Sequence, residues 1–185
     1  MAEESYFDQI SKQIKTGNEP YTWYRNRIKE LGTPSVPELL RSGQLNRTPA
    51  FGSLNMFVYS PKLRNKLPYY DTFPLVLPLE RYSDGFLGIN LHYLPIPLRI
   101  RLLDRLVDFA NNDDFDTTTR LNVDYQKLKN VRLVKPAIKR YLNGRVKSNF
   151  RRIDANEFTV ATLLPVARFK KASANEVWRD SRKMI

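Results

Sequence analysis

The chain has no cysteine and one histidine among its 185 residues. Without cysteine there is no disulfide framework and no thiolate metal site, and a reducing compartment is the simpler expectation. A Ser-His-Asp site would have to be built around His92, and no supporting spacing surrounds that residue. His92 sits between Leu91 and Tyr93 in an apolar stretch, where a structural role is expected. No apolar run approaches the roughly 20 residues that a membrane-spanning helix needs, and MAEESYFDQI lacks the basic start and apolar core of a signal peptide, so a soluble intracellular product is expected. A Walker loop is missing, and Gly85-Phe86-Leu87-Gly88 is not a dinucleotide fingerprint. Asn112, Asp114 and Asp116 imitate the opening of a calcium loop, but Thr117 replaces its glycine and Val123 its bidentate acid. Asp71, Asp84 and Asp154 could hold magnesium in a nuclease, yet nothing in their spacing singles them out. These gaps favour a protein with no catalytic residue, no metal and no cofactor.

Acidic side chains are scarce at one end only. Residues 120–185 hold 17 Lys+Arg against 5 Asp+Glu, which leaves 14 against 14 for the rest and puts the whole net charge of +12 in the last third. Such one-sidedness points to a polyanion, most simply the backbone of a nucleic acid, because basic side chains that neutralise phosphates release condensed counterions. An acidic protein surface would serve equally, and a solvated basic face needs no partner at all.

The length suits one domain with arms, and the pattern of elements suits an α+β fold in which helices flank a small, bent antiparallel sheet. Residues 1–32 read as two amphipathic helices: Tyr6, Phe7, Ile10 and Ile14 line the first, and Trp23, Tyr24, Ile28 and Leu31 the second, which Gly32 ends. Residues 33–54, rich in Pro, Ser, Thr and Gly, read as an extended arm with one brief helical turn. Residues 55–165 form the central α+β domain, with the sheet expected from 55 to 94. Pro74 and Pro78 argue for an edge or short strand between them, and Gly88 for a bulge or close backbone approach in the strand that follows the Ser83-Asp84-Gly85 turn. Leu98, Leu102, Leu106 and Phe109 repeat at helical spacing after Pro97, with Arg99, Arg101 and Arg105 on the polar side. Further helices are expected over Val123 to Val131 and from Pro136 through Ile138, Tyr141 and Leu142, then a strand from Ser148 to Ile153. Asp154 with Glu157, and Ser173 with Glu176, have the spacing of capping boxes. Residues 166–185 read as a C-terminal arm and helix carrying Val177 and Trp178.

Two features rise above this background. The first is a basic strip, Lys127, Lys129, Arg132, Lys135, Lys139, Arg140, Arg145, Lys147, Arg151 and Arg152, interleaved with Tyr125, Tyr141 and Phe150. It suits phosphate tracking with some base stacking and no reading of sequence. The second is the aromatic and proline loading of LPYYDTFPLVLP, where Tyr69, Tyr70 and Phe73, together with Trp178 near the chain end, are candidate anchors of a protein interface. A tight aromatic core explains these rings as well.

The run YSPKLRNKLPYYDTFPLVLPLERYSDGFLGINLHYLPIPLRIRLLDRL, with KPAIKRYLNGRVKSNF after it and a closing ANEVWRDSRKMI, resembles virion proteins of contractile-tailed, T-even-like phages, including their DNA end protector type. The likeness covers about residues 20–185, and no catalytic residue carries over. It implies a late virion component in a multi-subunit assembly, without contact to a membrane. Two roles fit: a DNA-binding protein that caps genome ends, or an architectural subunit of the baseplate or head-tail neck held by other virion proteins.

Overall fold

The computed structural model describes residues 4–185. Its architecture is α+β, built on a six-stranded antiparallel sheet of order β1-β7-β2-β4-β5-β6. The strands are β1 (Gln44–Asn46), β2 (Leu54–Met56), β4 (Leu75–Tyr82), β5 (Gly85–Asn90), β6 (Ile138–Leu142) and β7 (Phe150–Ile153), and a separate ribbon joins β3 (Tyr70–Asp71) to β8 (Phe169–Lys170). The helices are α1 (Tyr6–Ser11), α2 (Tyr21–Leu31), α3 (Val36–Arg41), α4 (Ile96–Val107), α5 (Tyr125–Leu128), α6 (Phe158–Leu163) and α7 (Ala174–Met184). The stretch from 55 to 94 supplies the centre of the sheet, as expected, but β1, β6 and β7 join it from outside.

The centre of the sheet is buried on both faces. Leu54, Met56, Leu75, Leu77, Ile89 and Ile153 turn into a main core with α1, α2, α4 and α6. Phe57, Tyr59, Val76, Phe86, Tyr141 and Phe150 form a second, aromatic core on the other side. This explains why Leu75 to Leu79 is a continuous apolar run instead of an alternating one. It also corrects the edge reading of the prolines: β4 is central and eight residues long. Pro78 is tolerated because the ladder shifts register between Pro78 and Glu80, a bulge where a missing N–H costs little. Gly88 lies opposite Pro78, and a β-carbon there would run into the Val76 side chain, so the close approach expected of this glycine is real.

Several local readings differ from the structure for tertiary reasons. Ile138 to Leu142 is a strand paired with β5, and Pro136 sits in a 3-10 turn over Arg132–Ala137, because the sheet takes up a segment whose local pattern also suits a helix. Residues 33–54 hold α3, whose Leu39 is fully buried, and β1, so the structure packs this stretch into the body instead of extending it. The helix expected over Val123 to Val131 shortens to α5, begun by Asp124, whose side chain accepts from the Lys127 N–H. The capping boxes at Ser35/Glu38, Asp154/Glu157 and Ser173/Glu176 all form.

Two sets of buried polar residues tie these layers together, the first a pair of separate arginines. Arg151, on the helix-covered side of β7, is 1% exposed, and its guanidinium lies 4.5 Å from the centre of the Phe7 ring. It forks onto both carboxylate oxygens of Glu157 at 3.3 Å and donates to the Arg152 carbonyl at 2.8 Å. On α4, Arg99 is also 1% exposed, against its expected polar face, and donates through Nε to the Leu94 carbonyl at 2.7 Å. Burial draws its pKa down to about 10.

The second group is the pair of Asp71 and His92, with Nδ1 of the ring 2.9 Å from Oδ2. Burial pushes the His92 pKa down, against the attraction of Asp71, so the ring is neutral and donates from Nδ1. Burial works to raise the Asp71 pKa, but His92, Asn90 and the Phe73 N–H together hold it below the ordinary carboxylate value. Both depressed pKa values act in one direction: the unfolded chain takes up protons first, so stability falls as pH falls.

These buried groups set the response to mutation and to pH. Arg151→Met strands Glu157 beside the core and should lower stability by about 3 kcal/mol, the low end for a broken buried pair because Glu157 stays partly solvated. Lys147→Met, at an exposed basic site, should change it by less than about 0.5 kcal/mol; urea unfolding of both variants gives the comparison. His92 is the chain's one imidazole, so stability should decline as pH drops from its ordinary pKa of 6.5 towards the carboxylate range. In His92→Gln that slope should vanish in this window, while the decline below about pH 4 from the carboxylates remains; melting temperatures across pH would show either pattern.

Candidate nucleic-acid interface

The sheet ends at β6, which has β5 on one side and, among the described residues, no strand on the other. The middle of the basic strip therefore occupies an open sheet edge. Lys135 precedes β6 on the 3-10 turn, Lys139 and Arg140 lie within it, and Arg145 and Lys147 follow. The segment after β6 is fastened to the chain around Tyr59: the Ser60 N–H donates to the Arg145 carbonyl at 3.1 Å, and the Lys147 N–H to the Val58 carbonyl at 2.8 Å. These bonds hold Arg145 and Lys147 beside the aromatic core.

The ten strip residues divide into four environments. Arg132, Lys135 and Lys147 are exposed and Arg145 half-buried, and none makes an ion pair among the described residues. On α5, Lys127 bonds the Asn122 carbonyl at 3.2 Å, and Lys129, the cap residue after it, bonds Gln126 at 2.9 Å; both stay exposed. Arg140 pairs with Asp84 at the β4–β5 turn and lies 4.1 Å over the Tyr82 ring, while Arg152 pairs with Asp154 at 2.8 Å. Arg151 turns into the main core, and half-buried Lys139 lies over the Tyr93 ring at 3.9 Å. The burial of Arg151 removes it from any surface that phosphate could reach. Alternation along β7 explains the difference between Arg151 and Arg152, which a count of charge along the sequence does not register.

The aromatic candidates are also redistributed. Phe73 is 1% exposed within the main core, which excludes it as a surface anchor. Trp178 contacts its own chain, donating from Nε1 to the His92 carbonyl at 2.9 Å beneath the Arg99 guanidinium. Tyr69 and Tyr70 are half-buried in the wall of a cavity of about 330 Å³ that also holds Lys139.

Two cations escaped the sequence reading. Arg47 and Arg81 line a second cavity, of about 520 Å³, with Phe51, Phe86 and Phe150, and the Arg81 guanidinium lies 4.6 Å over the Phe51 ring. Both belong to the electrically neutral first part of the chain, and only the sheet topology brings them to the aromatic face that also carries Tyr141. The carboxylates weighed for a metal do not converge: Asp71 faces His92, Asp84 faces Arg140 and Asp154 faces Arg152. Among the described residues, no three His, Asp or Glu side chains gather closely enough to hold a metal ion. No described helix is long and apolar enough to cross a membrane.

A basic sheet edge beside exposed aromatic cavities suits a polyanion with accessible bases. Comparison with known proteins gives this arrangement a context. No curated protein and no solved structure matches the chain. The family model described as phage T4 terminal DNA protecting protein, however, matches residues 5–181, nearly the whole length. The chain therefore belongs to the family of the phage T4 terminal DNA protecting protein.

Proposed function

We propose that the protein binds the ends of linear duplex DNA through backbone phosphates and shields them without catalysing a reaction, as a component of the phage particle. The observation that carries this reading is the open edge at β6, where Lys135, Arg145 and Lys147 flank the strand with no acidic partner among the described residues. Duplex DNA presents about one negative charge per 1.7 Å of axis, so a line of cations gains affinity by releasing counterions whatever the sequence. Such contacts position a protein on DNA and carry no base information, which is what an end protector needs. Arg132, Lys127 and Lys129 extend the same charge, and Arg47 and Arg81 add to it from the aromatic face. The separation of Asp71, Asp84 and Asp154, each facing a different partner, supports a non-catalytic role.

The test is binding to blunt linear, closed circular and single-stranded DNA across a salt series. Linear ends should be preferred, and a bound end should resist a processive exonuclease. Changing Lys135, Arg145 and Lys147 to Glu should weaken binding and flatten the salt dependence by about 0.9 in logarithmic slope for each phosphate that is no longer neutralised. Absence of binding near physiological salt would defeat the reading and assign the basic edge to an acidic protein neighbour.

A further inference from the structure

The cavity of about 330 Å³ beside β6 has a chemistry that backbone contact does not use. Tyr59, Tyr69, Tyr70, Tyr93 and Tyr141 line it, Lys139 projects among them, and Arg140 stands at its rim. The rings are braced: Tyr69 and Tyr93 lie 6.2 Å apart between centres, Tyr59 and Tyr141 4.9 Å apart, and the Tyr59 hydroxyl accepts the Leu142 N–H at 3.0 Å. Tyr70 on β3 is half-buried, lines the cavity and makes no ring contact with another aromatic among the described residues. The wall also includes Asp71, but its oxygens already accept from Asn90, His92 and the Phe73 and Arg168 N–H groups.

Lys139 is the unusual member. Its ammonium lies 3.9 Å from the centre of the Tyr93 ring, and no carboxylate pairs with it among the described residues. Desolvation alone draws its pKa down to about 8. A half-buried cation without an anion is the complement of a phosphate brought in beside it. Set among tyrosine faces, it specifies a ligand that carries an aromatic ring and an anion together. The volume is at the small end of the range for ligand pockets, about 300–1,000 Å³, which suits one nucleotide and not a run of them.

We propose that this cavity receives the terminal nucleotide of a DNA end, with its base stacked on Tyr70 and Tyr69 and its phosphate against Lys139. This inference rests on the end-binding reading given above. It also supplies a reason for preferring ends: an interior base is stacked on both faces, a terminal base on one, so the terminal nucleotide leaves the duplex at lower cost. The neighbouring cations of the β6 edge then hold the backbone that leads into the cavity.

The experiment uses the full chain and a short blunt, 5′-phosphorylated duplex with 2-aminopurine as its terminal base, alongside the same duplex with 2-aminopurine at an interior position. Binding should change the fluorescence of the terminal probe as it leaves the duplex stack for the tyrosines, and leave the interior probe unaltered. Tyr70→Ala should lower the ratio of linear to closed circular affinity by about five- to a hundredfold, the worth of one base-aromatic stack, and Lys139→Met by about tenfold or more, the worth of a hydrogen bond to a charged group. Retention of that ratio by both variants, with melting temperatures like the unaltered protein, would overturn the assignment of the cavity while leaving end binding in place. An equal response of the two probe positions would also overturn it, and this measurement on the unaltered protein decides the matter if a variant fails to fold. A wild-type protein with no preference for ends would remove both readings at once.

Discussion

The carboxylate of Asp71 is the constraint on which much of the molecule depends. It is 3% exposed, and an ionised carboxylate in that position is tolerable only when its oxygens are filled. Four donors fill them: Asn90 Nδ2 at 3.0 Å, His92 Nδ1 at 2.9 Å, and the N–H groups of Phe73 at 3.0 Å and Arg168 at 3.2 Å. They come from the end of β5, the 3-10 turn after it, the turn after β3 and the approach to β8. One anion thus joins segments up to 97 positions apart in sequence. Because the same residue belongs to β3, this network also fixes Tyr69 and Tyr70 in the wall opposite Lys139.

The turn after β5 passes the constraint on to the helices. Its carbonyls and those next to it are taken by side chains from elsewhere: His92 O by Trp178, Tyr93 O by Ser181 at 2.7 Å, and Leu94 O by Arg99. Thus α7, which reads as part of a terminal arm, is docked on its own chain by two hydrogen bonds and the buried Val177. Phe169 on β8 backs the tyrosine cavity by packing at 5.2 Å on Tyr93. One face of the tail is thus set against its own fold.

What was legible in the sequence is what local chemistry decides. The caps at Asp154 and Ser173, the apolar face of α1 and the turn at Ser83-Asp84 each depend on residues within a few positions of one another, and all form. What was not legible depends on partners far along the chain. Ile138 to Leu142 becomes a strand because β5 offers an edge, and Arg99 is buried because carbonyls from two other segments need a donor. The same limit applies to the candidate site. The charge excess of the last third was visible, but not that neighbours in one strand take opposite faces, sending Arg151 to Phe7 and Arg152 to Asp154. Asp71 stood out as a carboxylate available to a metal, although its place beside the chain's one histidine is structural; no spacing of 21 residues announces such a pair.

The basic edge admits a simpler account, and Lys139 is the residue that tells against it. Edge strands are commonly furnished with lysine and arginine to discourage pairing with another sheet, and Arg140 or Lys147 would satisfy that need. A lysine serving only this purpose keeps its ammonium in water. Lys139 instead lies over Tyr93, in surroundings that lower its pKa to about 8, and this is a standing cost to the folded state. Replacing it with an apolar side chain of similar length would relieve the cost without exposing any backbone. On the proposal of a terminal-nucleotide site, a cation kept where stability disfavours it is a charge placed in readiness for an anion. In that proposal the tyrosines around Lys139 select an anion that arrives with a ring.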